Sequence, residues 1–361
     1  YLRYGVDLKE REEFTFSPVN FGVVLHAVIR EVCDEIKKNG ESYYLISDEK
    51  RREMVKRSVA AITDIYQNSI LKDSSRNSFM IKRMEDLADR TVWAMGEQLK
   101  CGDFVPFVFE HKFNMEVGDG DRKQLMSGTI DRVDICENGT DVYVRIIDYK
   151  TGKKDFNIVK TYYGIDIQLM VYMEAAMKLV AKMRPGKNVI PAGVFYYNIS
   201  DPIVSATTES AEEIEDKIKG ELRLKGMVNS DKDIAEKMDN TEGTSLNIPV
   251  SRKADGGFDS RRSKVMNTEQ FNMLGRFVDV RAVDTADRIA GGDIRRSPYK
   301  DGQFSSCDRC PYGAVCGFSV DLPGCNYRKL KKFDDEVLWN NIKEGVDENG
   351  KKMDTGAEER D

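Results

Sequence analysis

Asp148 and Lys150 stand two residues apart at the end of the apolar, β-branched run in VRIIDYKTGKKD, residues 144–155. In an extended strand, residues i and i+2 share a face, so the acid and the ammonium point the same way and Tyr149 points away. A second acid, Asp131 in SGTIDRVD, lies on the preceding predicted strand. An Asn138-Gly139 turn joins the two strands as antiparallel neighbours, so the two carboxylates can converge at one edge of a sheet. Converged carboxylates repel unless a divalent cation sits between them. An ammonium beside such a cation stabilises charge building on a phosphate in flight. Taken alone, an acid-x-lysine strand end reads more readily as a surface ion pair. Two acids and a lysine on one edge point instead to hydrolysis of a phosphodiester.

The elements that must position these residues are legible from periodicity. FSPVNFGVVLHAVIREVCDEIKK predicts a helix with Ser17 as N-cap, Pro18 in the first turn and an apolar stripe through Phe21, Val24, Leu25, Val28 and Val32; His26 lies beside the stripe. Two further helices are predicted at roughly 47–71 and 75–100. Alternation then takes over in FVPFVFEHKFNMEV, KQLMSGTIDRVDICENG and TDVYVRIIDYKTG, which predicts an antiparallel meander with a turn at Gly118–Gly120. A helix through IDIQLMVYMEAAMKLVAKM and a strand in NVIPAGVFYYNIS follow. Helix, three strands, helix, strand implies an α/β core with a mixed sheet. Gln168 and Tyr172 are four apart and share one helical face. Beyond about 205 the signal weakens, apart from a predicted helix from Thr268 to Ile289. The apolar-poor segment 331–361 reads as a charged, largely disordered tail.

At 361 residues with 40% hydrophobic and 33% charged residues, the chain can bury a sizeable core. No apolar run approaches the ~20 residues of a membrane span, and no secretory signal is visible. The absence of an initial methionine reads as a fragment of a longer polypeptide. A net charge of −6 gives no global case for nucleic-acid binding, although a metal-dependent nuclease needs carboxylates and a local basic stripe can coexist with an acidic average. Of seven cysteines, Cys33, Cys101 and Cys136 are scattered among apolar neighbours and read as core. Cys307, Cys310 and Cys316 form C-x2-C-x5-C, which in a reducing, cytoplasmic setting reads as a metal site. Zinc wants four ligands, which Cys325 can complete, and an iron-sulfur cluster is the alternative.

In combination, GTIDRVD, IIDYKTG and QLMVYMEAA, after an upstream helix carrying GVVLH, resemble the RecB-type branch of the PD-(D/E)XK nucleases. Within that branch the likeness is to the nuclease end of the B-type subunits of AddAB helicase-nucleases, and it covers nearly the whole chain to about residue 330. The resemblance implies a restriction-endonuclease-like core at about 14–200, a helical and loop excursion at about 205–300 and a cysteine loop at 304–326. It implies a Mg²⁺- or Mn²⁺-dependent deoxyribonuclease of recombinational repair, acting on single-stranded DNA beside an AddA-like partner. His26, Asp131 and Asp148 would then ligate metal, with the carbonyl of Tyr149 available as a further ligand. Lys150 would be the catalytic lysine, and Gln168 and Tyr172 would brace it and contact DNA. Glu110, on the strand ahead of Asp131, takes a supporting place, and His111 none. The cysteine triplet would hold a [4Fe-4S] cluster whose fourth ligand lies a few residues before Tyr1. A nuclease fold that only binds DNA or a partner, and a stand-alone RecB-like exonuclease of the CRISPR-associated type, are the rival readings.

Overall fold

The computed structural model describes residues 18–66, 75–117, 124–205, 210–308 and 310–358. The Ser17 cap and the Gly118–Gly120 turn lie outside the described residues. Three helices come first: α1 (Pro18–Lys38), α2 (Asp48–Tyr66) and α3 (Ser75–Lys100). β1 (Val105–Val117), β2 (Gln124–Asn138) and β3 (Asp141–Lys150) then form the expected meander, antiparallel throughout. A short α4 (Ile158–Tyr162) and α5 (Gln168–Met183) cross over to β4 (Asn188–Asn198), which pairs parallel to β3. The sheet is therefore mixed, and helices cover both faces.

One face carries the α1–α3 layer. Val24, Leu25, Val28, Val32 and Ile36 of α1 are fully buried at helical spacing and pack with Ile147, Phe195 and Tyr197 from the sheet. The other face carries α5, whose Leu169, Met170, Met173 and Ala176 pack over Val144, Ile146 and Val194. Cys33 and Cys136 are buried as expected, and Cys101 is half-buried.

The segment after 205 is more ordered than its composition suggests. α6 (Ala211–Glu221) starts on a reciprocal cap between Ser210 and Glu213. β5 (Lys225–Asn229), α7 (Lys232–Met238) and β6 (Val265–Met266) follow, so that the six-stranded sheet runs β1-β2-β3-β4-β5-β6. Between α7 and β6, buried Asp239 accepts from Thr241 N–H, Ser245 Oγ and Asn247 Nδ2, which fixes a loop rich in polar residues. α8 (Thr268–Ala290) begins on an Asn267–Gln270 capping box and lies against α5.

The cysteine region is a small sheet of β7 (Tyr299–Asp301), β8 (Phe304–Ser305) and β9 (Arg328–Lys329), with the single turn α9 (Gly313–Cys316) between. The expected disordered tail is instead helix α10 (Asp335–Glu358). Leu338 and Ile342, four apart, are buried in the cluster formed with α8, and Gly345 lets the helix approach the Phe277 ring, where a Cβ would stand 2.8 Å from a ring carbon. A few well-spaced apolar residues thus order a segment whose average composition is polar. Among the described residues, no helix is long and apolar enough to cross a membrane.

Candidate active site

The β2–β3 ladder pairs Asn138 with Asp141 and runs to Arg132 opposite Ile147. One step further, Asp131 stands opposite Asp148. There the alternation of β2 slips: Ile130 and Val133 both pack into the cluster under α5, although residues three apart on a regular strand face opposite ways. The neighbouring strand is distorted at the same level. Glu110, flanked by the pairs Phe109–Arg132 and His111–Ile130, has φ of 48°, the one non-glycine residue with positive φ among the described residues. These two irregularities turn both carboxylates toward α1.

His26 meets them there, with Nδ1 3.5 Å from Glu110 Oε1 and 3.5 Å from Asp131 Oδ1. His26, Glu110 and Asp131 are the one group of three metal-capable side chains among the described residues whose ligand atoms all lie within 4.8 Å. The ring of Tyr149 meets His26 edge-on at 5.9 Å, and its backbone N–H donates to Asp131 Oδ2 at 2.6 Å. Burial works against a charged imidazole, but Asp131 and Glu110 outweigh it and carry the His26 pKa up to about 10. The carboxylates thus already hold a positive charge.

Asp148 lies beside this group, 2% exposed. Its Oδ1 accepts from Gln168 Nε2 at 3.0 Å. Its Oδ2 is 2.5 Å from Lys150 Nζ, an ion-pair contact without hydrogen-bond geometry, and remains buried with no donor. Lys150 Nζ donates instead to Gln168 Oε1 at 3.2 Å, and Gln168 Nε2 also reaches Tyr172 Oη at 2.9 Å. Gln168 is the first residue of α5, so one amide ties strand, lysine and helix together. Gly128, three residues before Asp131, leaves room for this corner: a Cβ there would stand 2.8 Å from the Phe113 ring and 3.3 Å from the Tyr172 ring. Burial and the nearby Asp131 charge push the Asp148 pKa up to about 6.

Of the residues singled out from sequence, Asp131, Asp148, Lys150, Gln168, Tyr172, Tyr149 and His26 come together, and Glu110 joins them as a full member of the carboxylate group. Its signal was its place one strand ahead of Asp131. Lys154 went unremarked in TGKKD. Its Nζ pairs with Asp166 at 3.1 Å and lies 5.4 Å from the Tyr196 ring centre, with Lys150 Nζ at 5.6 Å from the same ring.

The donor set suits a hard divalent cation: carboxylate oxygens, one imidazole and an orphaned buried oxygen on Asp148. The cysteines do not form a zinc site as they stand. Among the described residues no three thiols lie within 4.8 Å of one another, whereas sulfurs at ~2.3 Å from one zinc stand about 4 Å apart.

A mixed sheet that delivers two strand-borne acids and a lysine to one edge, with a glutamine from the crossover helix beneath them, has the architecture of a nuclease fold. The family model of the PD-(D/E)XK nuclease superfamily matches residues 1–317, and the chain belongs to that superfamily. It is 33% identical over 98% of its length to the B-type subunit of the ATP-dependent helicase/deoxyribonuclease of Thermoanaerobacter sp. (strain X514). It is 34% identical to the proteins of that name from Caldanaerobacter subterraneus subsp. tengcongensis and Lachnoclostridium phytofermentans, over 100% and 99% of its length. The chain spans about a third of these relatives, 31% to 32% of each.

Proposed function

We propose that this chain is the nuclease part of a helicase-nuclease B-type subunit and hydrolyses phosphodiester bonds of single-stranded DNA. The observation that carries the reading is the convergence of His26, Glu110, Asp131 and the donorless Asp148 Oδ2 beside Lys150. A divalent cation, Mg²⁺ or Mn²⁺, held by His26, Glu110, Asp131 and Asp148, with the Tyr149 carbonyl within the same strand end, would supply the Lewis acid and a more acidic water.

The chain's own groups do the rest. The Lys150 ammonium faces the position of the scissile phosphate and offsets its growing negative charge. Gln168 holds that ammonium and Asp148 in one orientation, and Tyr172 holds Gln168. Tyr149 N–H fixes the Asp131 carboxylate so that its other oxygen faces His26 and Glu110.

The names of its relatives support an AddA-like motor subunit as partner and a place in DNA repair inside the cell. A [4Fe-4S] cluster on Cys307, Cys310 and Cys316 belongs to the same reading; iron and acid-labile sulfide in the full-length subunit, lost in Cys310→Ala, is the expected result.

Cleavage of an end-labelled single strand tests the catalytic proposal. Mg²⁺-dependent products from the wild type and none from Asp148→Ala are expected. No cleavage by the wild type would favour a DNA-binding scaffold, and equal cleavage by both would remove Asp148 from the chemistry.

A further inference from the structure

The crossover between β3 and α5 carries a second feature that the catalytic group does not use. A groove of about 830 Å³ opens between α4, α8, α10 and the segment 328–333. Its floor is aromatic. Tyr162 stacks on Phe277 at 5.5 Å with planes 11° apart, and Tyr163 stacks on Phe333 at 6.2 Å and 28°. Tyr163 and Phe333 are half-buried, so their rings remain reachable from solvent. Lys331 N–H donates to Tyr163 Oη at 3.1 Å, which pins the segment after β9 to the end of α4.

The walls are basic. Arg281, Arg328, Lys329 and Lys331 line the groove, and no ion pair engages any of the four among the described residues. Elsewhere surface cations are neutralised by neighbours, as Lys160 is by Asp301 at 2.9 Å and Lys82 by Asp86 at 2.9 Å. The Arg281 guanidinium instead lies over aromatic faces, 5.0 Å from the Phe277 centre and 5.9 Å from that of Tyr162. Two acids, Asp284 and Glu344, also line the groove, so it keeps a net positive charge within an acidic chain.

Reachable rings beside unpaired cations are the chemistry that binds single-stranded nucleic acid: phosphates on the cations, bases on the rings, without sequence readout. A rigid duplex offers no free base faces to such a groove, and an acidic peptide would use the cations but not the rings. Position supports the same ligand. Tyr163 precedes Gln168 by five residues on the segment that links the two catalytic elements, so a strand held here is led toward Lys150.

We propose that the α4–α8–α10 groove is a guide site for single-stranded DNA, with bases stacked on Tyr163 and Phe333 and phosphates held by Arg281, Arg328, Lys329 and Lys331. It rests on the nuclease reading for the use made of the strand, not for the binding itself.

Binding of a labelled oligothymidylate, followed by anisotropy in EDTA over a series of salt concentrations, tests it. Lys329→Ala with Lys331→Ala is expected to reduce the slope of log K against log salt by about 1.4, since each single-strand phosphate contact contributes roughly 0.7. Tyr163→Ala and Phe333→Ala are each expected to weaken binding about fivefold to a hundredfold at unchanged slope, the range for one stacked base. They should also abolish quenching of 2-aminopurine placed in the oligonucleotide. The lysine variants alter only exposed charge and keep the test valid if an aromatic variant fails to fold. An unchanged slope in the double lysine variant overturns the proposal. A reduced slope with no effect of the aromatic variants on affinity or quenching overturns DNA as the occupant in favour of an acidic peptide. Groove-dependent binding by a wild type that never cleaves would sink the nuclease reading alone. Mg²⁺-dependent cleavage with unaltered binding in every groove variant would sink the groove alone.

Discussion

The side-chain amide of Gln168 donates to Asp148 Oδ1 at 3.0 Å while its carbonyl accepts from Lys150 at 3.2 Å, so one residue of α5 sets the orientation of both groups at the end of β3. Such outer contacts typically change activity or metal affinity by 10- to 100-fold when removed. Gln168→Ala should therefore slow single-turnover cleavage by about that factor while leaving the unfolding midpoint nearly unchanged. Gln168→Glu makes a sharper test. A carboxylate facing Asp148 raises the pKa of Asp148 further above its present value of about 6. The acid limb of the pH–rate profile should then move to higher pH in Gln168→Glu but not in Gln168→Ala. A common shift in both variants would contradict an electrostatic role for the amide.

Beneath the site, Asp134 is fully buried between two arginines. Arg132 approaches it at 2.7 and 2.6 Å and Arg145 at 2.9 Å. Burial alone would raise the Asp134 pKa, but the two guanidinium groups hold it below the usual carboxylate range. Removing the acid leaves two buried cations with no counter-charge, an arrangement that costs about 3–5 kcal/mol. Asp134→Ala should show that loss in urea unfolding. Lys82→Ala, which breaks an exposed pair with Asp86, should stay within about 0.5 kcal/mol. Similar losses in the two variants would mean that the buried triad is not the support it resembles.

On the opposite side of α5, Asp279 of α8 faces Glu174. Burial and a hydrogen bond from that second carboxyl push the Asp279 pKa up to about 8. The folded chain thus keeps a proton that the unfolded chain releases near the ordinary Asp value of 3.8. Since stability falls with pH wherever the folded state binds more protons, this group costs nothing below about pH 4 and destabilises progressively as pH rises through 8. Asp279→Asn should unfold at higher urea than wild type at pH 8.5, by on the order of 2 kcal/mol, and at similar urea at pH 5. A variant weaker than wild type at pH 8.5 would reverse the sign and exclude the shared proton.

The meander, the crossover helix and the residues at the strand end were readable because period and turn chemistry act locally: Asn138-Gly139 fixes the β2–β3 register, and that register alone brings Asp131 opposite Asp148. What could not be read depends on contacts distant in sequence. β6 is two residues long and exists because β5 offers it an edge. α10 is ordered by two side chains meeting α8. The place of Glu110 depends on a backbone distortion that no residue type announces, since a glutamate is an unusual choice for positive φ. The signal that was present, an acid one strand ahead of Asp131, carried no information about that turn.

That distortion gives the last prediction its form. A non-glycine residue at φ of 48° costs of order 1–3 kcal/mol, and the surrounding β1–β2 ladder must hold Glu110 there. Glycine adopts this conformation without the penalty, whereas alanine keeps it. Glu110→Gly should therefore be more stable than Glu110→Ala by about 1 kcal/mol in urea unfolding at pH 7 in EDTA, although both have lost the same carboxylate. Both should lose Mg²⁺-dependent cleavage together, and both should lower the His26 pKa by removing one of the two acids that raise it, which the imidazole proton shifts report directly by NMR. If the strain serves to aim a ligand, stability and activity separate in this way. If glycine and alanine are equally stable, the ladder is not strained at Glu110; if Glu110→Gly cleaves like wild type, the carboxylate is not part of the metal site, and His26, Asp131 and Asp148 suffice.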